Sequence, residues 1–228
     1  MLINFPNPRA YEFPEWVLIG DYFYHAADII YFGGELNTEN LRRAYRQGIF
    51  PWTIEGLQLH WFCPEKRAIL EFNALHVSKS LRKIQKKNLY ALTIDKAFEK
   101  VIKNCSEIRR NGEKGTWITA DFIETYCEFH AQGGAHSVEV WENDELVGGL
   151  YGVDTGGVFC GESMFHLRPN ASKLALLFLV EHLKSRGATW LDAQVLTPHF
   201  EAFGAREIPR RKFLEKLAET RQRNLKLF

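Results

Sequence analysis

The segment Leu191-Asp192-Ala193-Gln194 closes an apolar run that begins at Trp190. Read as a strand, it puts Asp192 and Gln194 on one face. An aspartate in an apolar strand needs partners that offset its desolvation. Two readings fit that need. Asp192 orients the Gln194 amide, whose carbonyl then accepts an N–H from an incoming amine, or Asp192 is a structural group tied to backbone donors. Upstream, Gly161-Glu162-Ser163-Met164-Phe165 follows a strand expected over 157–160. It lacks the second glycine of a G-x-S-x-G elbow, so Ser163 is a poor candidate nucleophile. Glu162, at the strand end, suits acceptance of hydrogen bonds from an amine or cationic substrate; the plain alternative is a surface acid.

A third feature is electrostatic. Lys79, Arg82, Lys83, Lys86 and Lys87 recur at helical spacing opposite Val77, Leu81 and Ile84. No acid interrupts this cationic face, and phosphates are its natural partners. The bland alternative is a solvated helix face. Trp52 and Trp117 stand beside Pro51 and Gly115 in turn-like contexts, where rings tend to face a cleft; otherwise they are core, as is the usual fate of aromatics. The histidines show no HExxH and no i,i+4 pair, so no metal is assigned. Arg168-Pro169-Asn170-Ala171-Ser172-Lys173 lies between a strand and a long helix, where acetyltransferase folds carry a Gly-rich pyrophosphate loop. Here the topology fits that fold and the cofactor loop does not.

The chain that must position these groups has 228 residues, 46% apolar and 25% charged. That is enough for one large domain or two small ones sharing an interface. Lys+Arg 29 against Asp+Glu 28 excludes a globally basic chain wrapped in nucleic acid. No apolar run approaches the ~20 residues of a membrane span. The start has no basic region followed by an apolar stretch, so no signal peptide is read there. Cys63, Cys105, Cys127 and Cys160 form no CxxC and read as free thiols of a reducing cytosol.

Residues 1–32 read as irregular with short strands. Asn37 caps a helix over about 38–47 that Gly48 ends. Ile49–Trp52 reads as a stiff aromatic loop. Short strands follow at 59–62 and 68–70, then a helix over 79–87 capped by Ser78. After a change of pattern near residue 88 comes a strand at 90–94, then a helix capped by Asp95 and running to Cys105. A loop at 111–115 precedes a helix over 120–132 capped by Thr119. Strands at 136–142 and 145–153, joined by Asn143-Asp144, lead to 157–160. A helix over 171–186, a strand over 190–194 and a terminal segment ending in helix complete the chain. Hairpins followed by a βαβ crossover imply an α+β chain with a mixed sheet and helices on its faces.

Seven segments stand in register with one family: Gly33–Leu36, Ala44–Trp52, Gly115–Thr119, Ala135–Trp141, Phe159–Phe165, Ala171–Lys173 and Asp192–Gln194. Together they resemble the bacterial leucyl/phenylalanyl-tRNA–protein transferases over about residues 30–213. The resemblance implies a small N-terminal α/β domain (1–88) and a C-terminal N-acetyltransferase-like domain (89–228). It implies transfer of Leu or Phe, with Met possible, from aminoacyl-tRNA to acceptor proteins beginning with Arg or Lys. That tags them for the N-degron pathway, in the cytoplasm and without coenzyme A or another cofactor. Position by position, Asp192 and Gln194 match the proposed catalytic pair. Glu162 matches an acid near the aminoacyl ester and terminal adenosine, and Trp52 and Trp117 match rings around that adenosine. Tyr126 and Met164 match further site residues. Phe159 matches the apolar pocket, and Leu179 lies on the pocket helix. The face from Lys79 to Lys87 matches a region holding the tRNA acceptor stem.

The mechanism implied is mainly positioning of an activated ester and an amine. Asp192 fixes the Gln194 amide, whose carbonyl accepts the attacking N–H; the terminal ribose hydroxyl is an alternative proton shuttle. Other readings are an acyl-coenzyme A-dependent N-acyltransferase and a non-catalytic tRNA-binding module. Charge reversal at Lys83 and Lys86 should weaken tRNA binding and flatten its dependence on salt. A filter-binding titration with an unchanged salt slope would reduce the basic face to solvated surface.

Overall fold

The computed structural model describes residues 1–19, 22–53, 57–108 and 117–228. Its centre is a seven-stranded sheet ordered β12-β6-β11-β10-β9-β8-β7. The strands are β6 (Lys66–Glu71), β7 (Ala91–Ile94), β8 (Ala135–Glu142), β9 (Glu145–Asp154), β10 (Phe159–His166), β11 (Trp190–Gln194) and β12 (Arg206–Pro209). Every neighbouring pair is antiparallel except β10 and β11. Those two are joined by helix α5 (Ala171–Ser185), the crossover that a parallel pair requires. Asn143 and Asp144 both adopt positive φ between β8 and β9, the geometry of a two-residue hairpin turn.

The sheet separates two cores. Tyr151, Val153, Cys160 and Phe165 face α3 (Phe98–Glu107) and α4 (Ala120–Ala131). Val138, Leu150, Phe159 and Leu191 face α5, which is apolar along most of its length. Crowding between strands is severe at Gly152, where a Cβ would lie 2.2 Å from the Cys160 carbonyl oxygen and against the Phe159 ring. A three-stranded sheet ordered β3-β5-β4 adjoins the first core; it comprises β3 (Ile29–Phe32), β4 (Phe50–Trp52) and β5 (His60–Phe62). Helix α1 (Thr38–Arg46) leads into it, and Asn37 caps that helix by accepting from the Asn40 amide at 2.9 Å. Helix α2 (Lys79–Lys86) is capped by Ser78 and buries Leu81. A hairpin of β1 (Trp16–Ile19) and β2 (Tyr22–His25) forms a two-stranded sheet of its own.

Several elements differ from the pattern in the sequence. Phe50–Trp52 is a strand, not a loop. Pro51 is tolerated because β4 is an edge strand, where a missing N–H costs no ladder bond. The strand expected over 157–160 runs on to His166, so Gly161–Phe165 lies within β10. Asp95 does not cap α3. It turns to φ 58° and accepts from the Ser137 amide at 2.8 Å, while Ala97 occupies the cap position without a side-chain bond. Thr119 holds the cap position of α4, also without a side-chain bond. Short helix α6 (Pro198–Ala202) and strand β12 were not marked by any period, and α7 (Arg210–Gln222) follows directly on β12. The loop expected at 111–115 lies outside the described residues. Strand β6 precedes the change of pattern near residue 88 and is paired inside the large sheet between β11 and β12.

Candidate active site

The parallel strands β10 and β11 share a single register pair, Cys160 opposite Asp192. Immediately beyond it, each strand breaks its regular pairing with its antiparallel neighbour. The register of β10 against β9 shifts between Gly161 and Ser163, which makes Glu162 the extra, unpaired residue. The register of β11 against β6 shifts between Asp192 and Gln194, and Gln194 adopts φ 59°. Bulges redirect side chains out of the regular alternation. Here they turn Glu162 and Gln194 toward each other. Past the Cys160–Asp192 pair the strands are linked by side chains: Gln194 Nε2 donates to Glu162 Oε1 at 2.6 Å and lies 3.3 Å from Cys160 Sγ.

Asp192 is buried, and its partner is Arg67. The guanidinium donates through Nε to Oδ1 at 2.8 Å and through Nη2 to Oδ2 at 2.7 Å. The Arg67 side chain is as deeply buried as Asp192, and its charged plane lies between the Phe50 and Phe213 rings, 4.5 and 4.6 Å from their centroids. The Asp192 charge holds Arg67 firmly in its cationic form. Asp192 Oδ1 also accepts from the backbone N–H of Gln194 at 2.9 Å. Asp192 therefore fixes the backbone of the bulge. It does not fix the Gln194 amide group, as the sequence suggested; that amide is held by Glu162. The strict two-residue alternation behind the earlier expectation fails at the bulge.

Glu162 Oε1 also accepts from the Tyr45 hydroxyl at 2.6 Å, and that hydroxyl lies 2.5 Å from the hydroxyl of Tyr126. Oε2 is shut off from solvent and has no hydrogen-bond partner among the described residues. Burial pushes the Glu162 carboxyl up to about 7, against the opposing pull of the bonds from Tyr45 and Gln194. Burial and the nearby Glu162 carboxylate push both tyrosines well above the usual phenol range, so they remain protonated donors. Burial likewise raises the Cys160 thiol, which makes it a poor nucleophile. Among the described residues, Gln194 Oε1 accepts no hydrogen bond. The cluster thus offers two oxygens without donors, one on an amide and one on a carboxyl that titrates near neutrality.

Aromatic rings wall one side of this cluster. Trp52 stacks on Trp117 with centroids 5.1 Å apart, and Thr53 Oγ1 donates to the Trp117 carbonyl at 2.7 Å. Contacts continue from Trp117 to Phe122 at 5.7 Å and from Phe122 to Tyr126 at 5.9 Å. Residues 115 and 116, quoted above with Trp117, lie outside the described residues. The expected site residues do not all share this side. Phe159 and Leu179 are buried in the core on the α5 face, with Met164 half-buried against it. Tyr126 and Trp117 belong to the opposite core. The β10–β11 junction stands between the two groups. Lys79, Arg82, Lys83 and Lys86 of α2 and Lys87 at its C-terminal cap are exposed, and none forms an ion pair among the described residues.

Sequence reasoning missed Tyr45 and Arg67. Tyr45 sits on the apolar face of α1 and reads as core; only its place in the Ala44–Trp52 segment singled it out. Arg67 lies in Glu65-Lys66-Arg67, which looks like surface charge. The histidines, which gave no metal signal along the chain, do converge at one point. Asp95, His130 and His136 bring three potential ligand atoms within 4.8 Å of one another. Each imidazole Nδ1 is already engaged, His136 with Asp95 at 2.7 Å and His130 with the Ala135 carbonyl at 2.8 Å.

The chain also matches known proteins along most of its length. Residues 69–218 match the family model described as leucyl/phenylalanyl-tRNA protein transferase, and residues 34–65 match the model of its N-terminal domain. The chain belongs to this family. A leucyl/phenylalanyl-tRNA–protein transferase of Flavobacterium psychrophilum is 50% identical over 185 residues, 81% of this chain and 88% of the relative. One of Flavobacterium johnsoniae is 49% identical over 83% of this chain and 89% of the relative. One of Pseudoalteromonas atlantica is 48% identical over 84% and 81%. Glu162, Asp192 and Gln194 fall in the larger matched segment of the transferase model and Tyr45 in the smaller, while Arg67 falls between the two.

Asp192→Ala leaves the Arg67 charge buried and unpaired, and should cost about 3–5 kcal/mol in urea unfolding. Replacing both residues with apolar side chains (Arg67→Met with Asp192→Leu) should recover most of that loss. A cost below about 1 kcal/mol for Asp192→Ala would mean that water reaches and solvates the pair.

Proposed function

We propose that this transferase moves Leu or Phe, with Met as a further donor residue, from aminoacyl-tRNA to acceptor proteins beginning with Arg or Lys. The products would enter the N-degron pathway in the cytoplasm. The observation that carries this reading is the pair of donor-free oxygens, Gln194 Oε1 and Glu162 Oε2, on two side chains that bond to each other at the β10–β11 junction of a member of this family. An α-ammonium must lose one proton and direct its lone pair to become a nucleophile. Glu162 Oε2 takes that proton, and Gln194 Oε1 accepts a remaining N–H to orient the amine. Nitrogen then bonds to the ester carbonyl carbon and the bond to the ribose oxygen breaks. The nitrogen sheds a second proton as the amide forms; of the two protons, one passes from Glu162 to the ribose oxygen and the other leaves to solvent. Tyr45 and Gln194 stabilise the ionised carboxylate before the first transfer and after the second. Asp192 and Arg67 act at one remove, as positioning residues.

Trp52, Trp117 and Tyr126 offer flat faces for the terminal adenosine. Phe159, Met164 and Leu179 receive the aminoacyl side chain on the α5 face; Met164, flexible and half-buried, is the residue that yields to admit it. Lys79, Arg82, Lys83, Lys86 and Lys87 meet acceptor-stem phosphates. An acyl-coenzyme A reading draws no support from the segment ahead of α5, which has no glycine between Leu167 and Lys173. No helix among the described residues is long and apolar enough to cross a membrane.

Incubation with Phe-tRNA labelled in the amino acid should place label on a peptide beginning with Arg. Absence of transfer would contradict the proposal. The rate should rise through pH ~7 as Glu162 ionises, partly overlapping the peptide amine near ~7.7–8.0. Glu162→Gln should abolish the lower limb, and Tyr45→Phe, which removes a donor to the carboxylate, should move it upward. A lower limb unmoved by either change would assign the proton to another group.

A further inference from the structure

Three of the exposed large apolar side chains, Trp16, Leu18 and Phe23, belong to the β1–β2 hairpin, where they are 55%, 60% and 71% exposed. Leu18 pairs directly with Phe23, and Trp16 with His25. Directly opposed residues share a face. The four side chains therefore form one row on a hairpin that pairs with no other strand among the described residues. An isolated hairpin is marginal in water, and an apolar row left bare on it calls for a partner.

The row leads to a groove. His25 stacks edge-on against Trp16 at 5.3 Å and lines a mostly apolar cavity of about 460 Å³. Phe50, Phe62 and Trp52 form its aromatic wall, and it ends at Val195, the residue after Gln194. Three carboxylates, Asp28, Glu65 and Glu207, also line it, with Lys66. Asp28 is spent locally: it accepts from the Glu65 amide at 2.6 Å and lies 3.4 Å from Arg210 Nη2. Glu65 and Glu207 are exposed, and neither side chain has a hydrogen bond or ion pair among the described residues.

We infer that this groove and the hairpin row together dock the N-terminal segment of the acceptor polypeptide. Its first side chain, Arg or Lys, lies along the aromatic wall with its charge at Glu65 and Glu207. Its following residues run over Leu18 and Phe23. The inference rests on the transferase reading of the adjoining site. Two features select this occupant. A long cationic side chain has an apolar stem and a charged head, matching aromatic wall and acidic rim. Nucleic acid is disfavoured, because phosphates would meet the same two carboxylates. The four-residue strands of the hairpin extend roughly 13 Å, enough for about four extended residues of peptide.

The test measures binding without tRNA and without turnover. Peptides labelled at the C-terminal end, beginning with Arg or with its neutral isostere citrulline, are titrated by fluorescence anisotropy. The native chain should bind the Arg peptide about tenfold more tightly. Glu65→Gln with Glu207→Gln should reduce that preference to under about threefold while leaving tRNA affinity unchanged. Leu18→Ser with Phe23→Ser should weaken both peptides alike. No preference in the native chain, or a preference that survives the double Gln change, overturns the assignment. So does a hairpin variant that binds peptide normally but loses a self-association seen by sedimentation, which would make the row a contact between two copies. If transfer from aminoacyl-tRNA fails while the Arg preference and its loss are as expected, the transferase reading falls and the groove stands.

Discussion

A single buried ion pair, Arg67 with Asp192, fixes the geometry on which the rest of the site depends. It joins residues 125 positions apart, with the Arg67 guanidinium set against two phenylalanine rings. Desolvating two charges is expensive, and their attraction offsets the cost only when geometry and hydrogen bonding are good. Here the bidentate fork and the backbone N–H of Gln194 satisfy Asp192. Regular strand backbone would point Gln194 elsewhere. The bulge that turns it inward places a glutamine at positive φ, a conformation side chains other than glycine adopt at some cost. The bond from its N–H to Asp192 is one of the contacts that keep it there.

The second constraint is electrostatic tension at Glu162. Burial favours the neutral acid, while two donors favour the carboxylate, and the balance lies near neutrality. A group poised there exchanges a proton with little driving force lost in either direction. The same poise has a stability consequence. The carboxyl ionises near the ordinary 4.5 in the unfolded chain and at about 7 when folded. Between these values the folded state binds more protons. The contribution to stability is full at the acidic end and is lost as pH rises through about 7. The protonation state that suits the proposed chemistry is thus the one that loosens the protein, as expected of a functional residue.

Much of the scaffold was legible because it follows local rules. Asn37 and Ser78 cap their helices, Asn143-Asp144 turns a hairpin, and α5 with β11 forms a crossover unit. What escaped was set at long range. Strand β4 exists because β5 offers it an edge. Arg67 is buried because Asp192 and two rings, remote in sequence, close around it. Asp95 has the composition of a cap and is recruited instead by Ser137 and His136. The two bulges leave no mark in hydrophobic period, so Asp192 and Gln194 were legible as a pair while their actual partners were not. Glu162 was visible as an acid in a motif; that two tyrosines and an amide surround it depends on the fold.

The central claim is that the junction of β10 and β11 holds one carboxyl balanced near neutral pH. Carbon-13 NMR of protein labelled at glutamate side-chain carboxyls, titrated without substrates, measures this directly. The account predicts one glutamate resonance with a midpoint of about 7, absent from the Glu162→Gln spectrum. If every glutamate instead titrates near the ordinary value of about 4.3, the site holds a solvated carboxylate and the account is wrong.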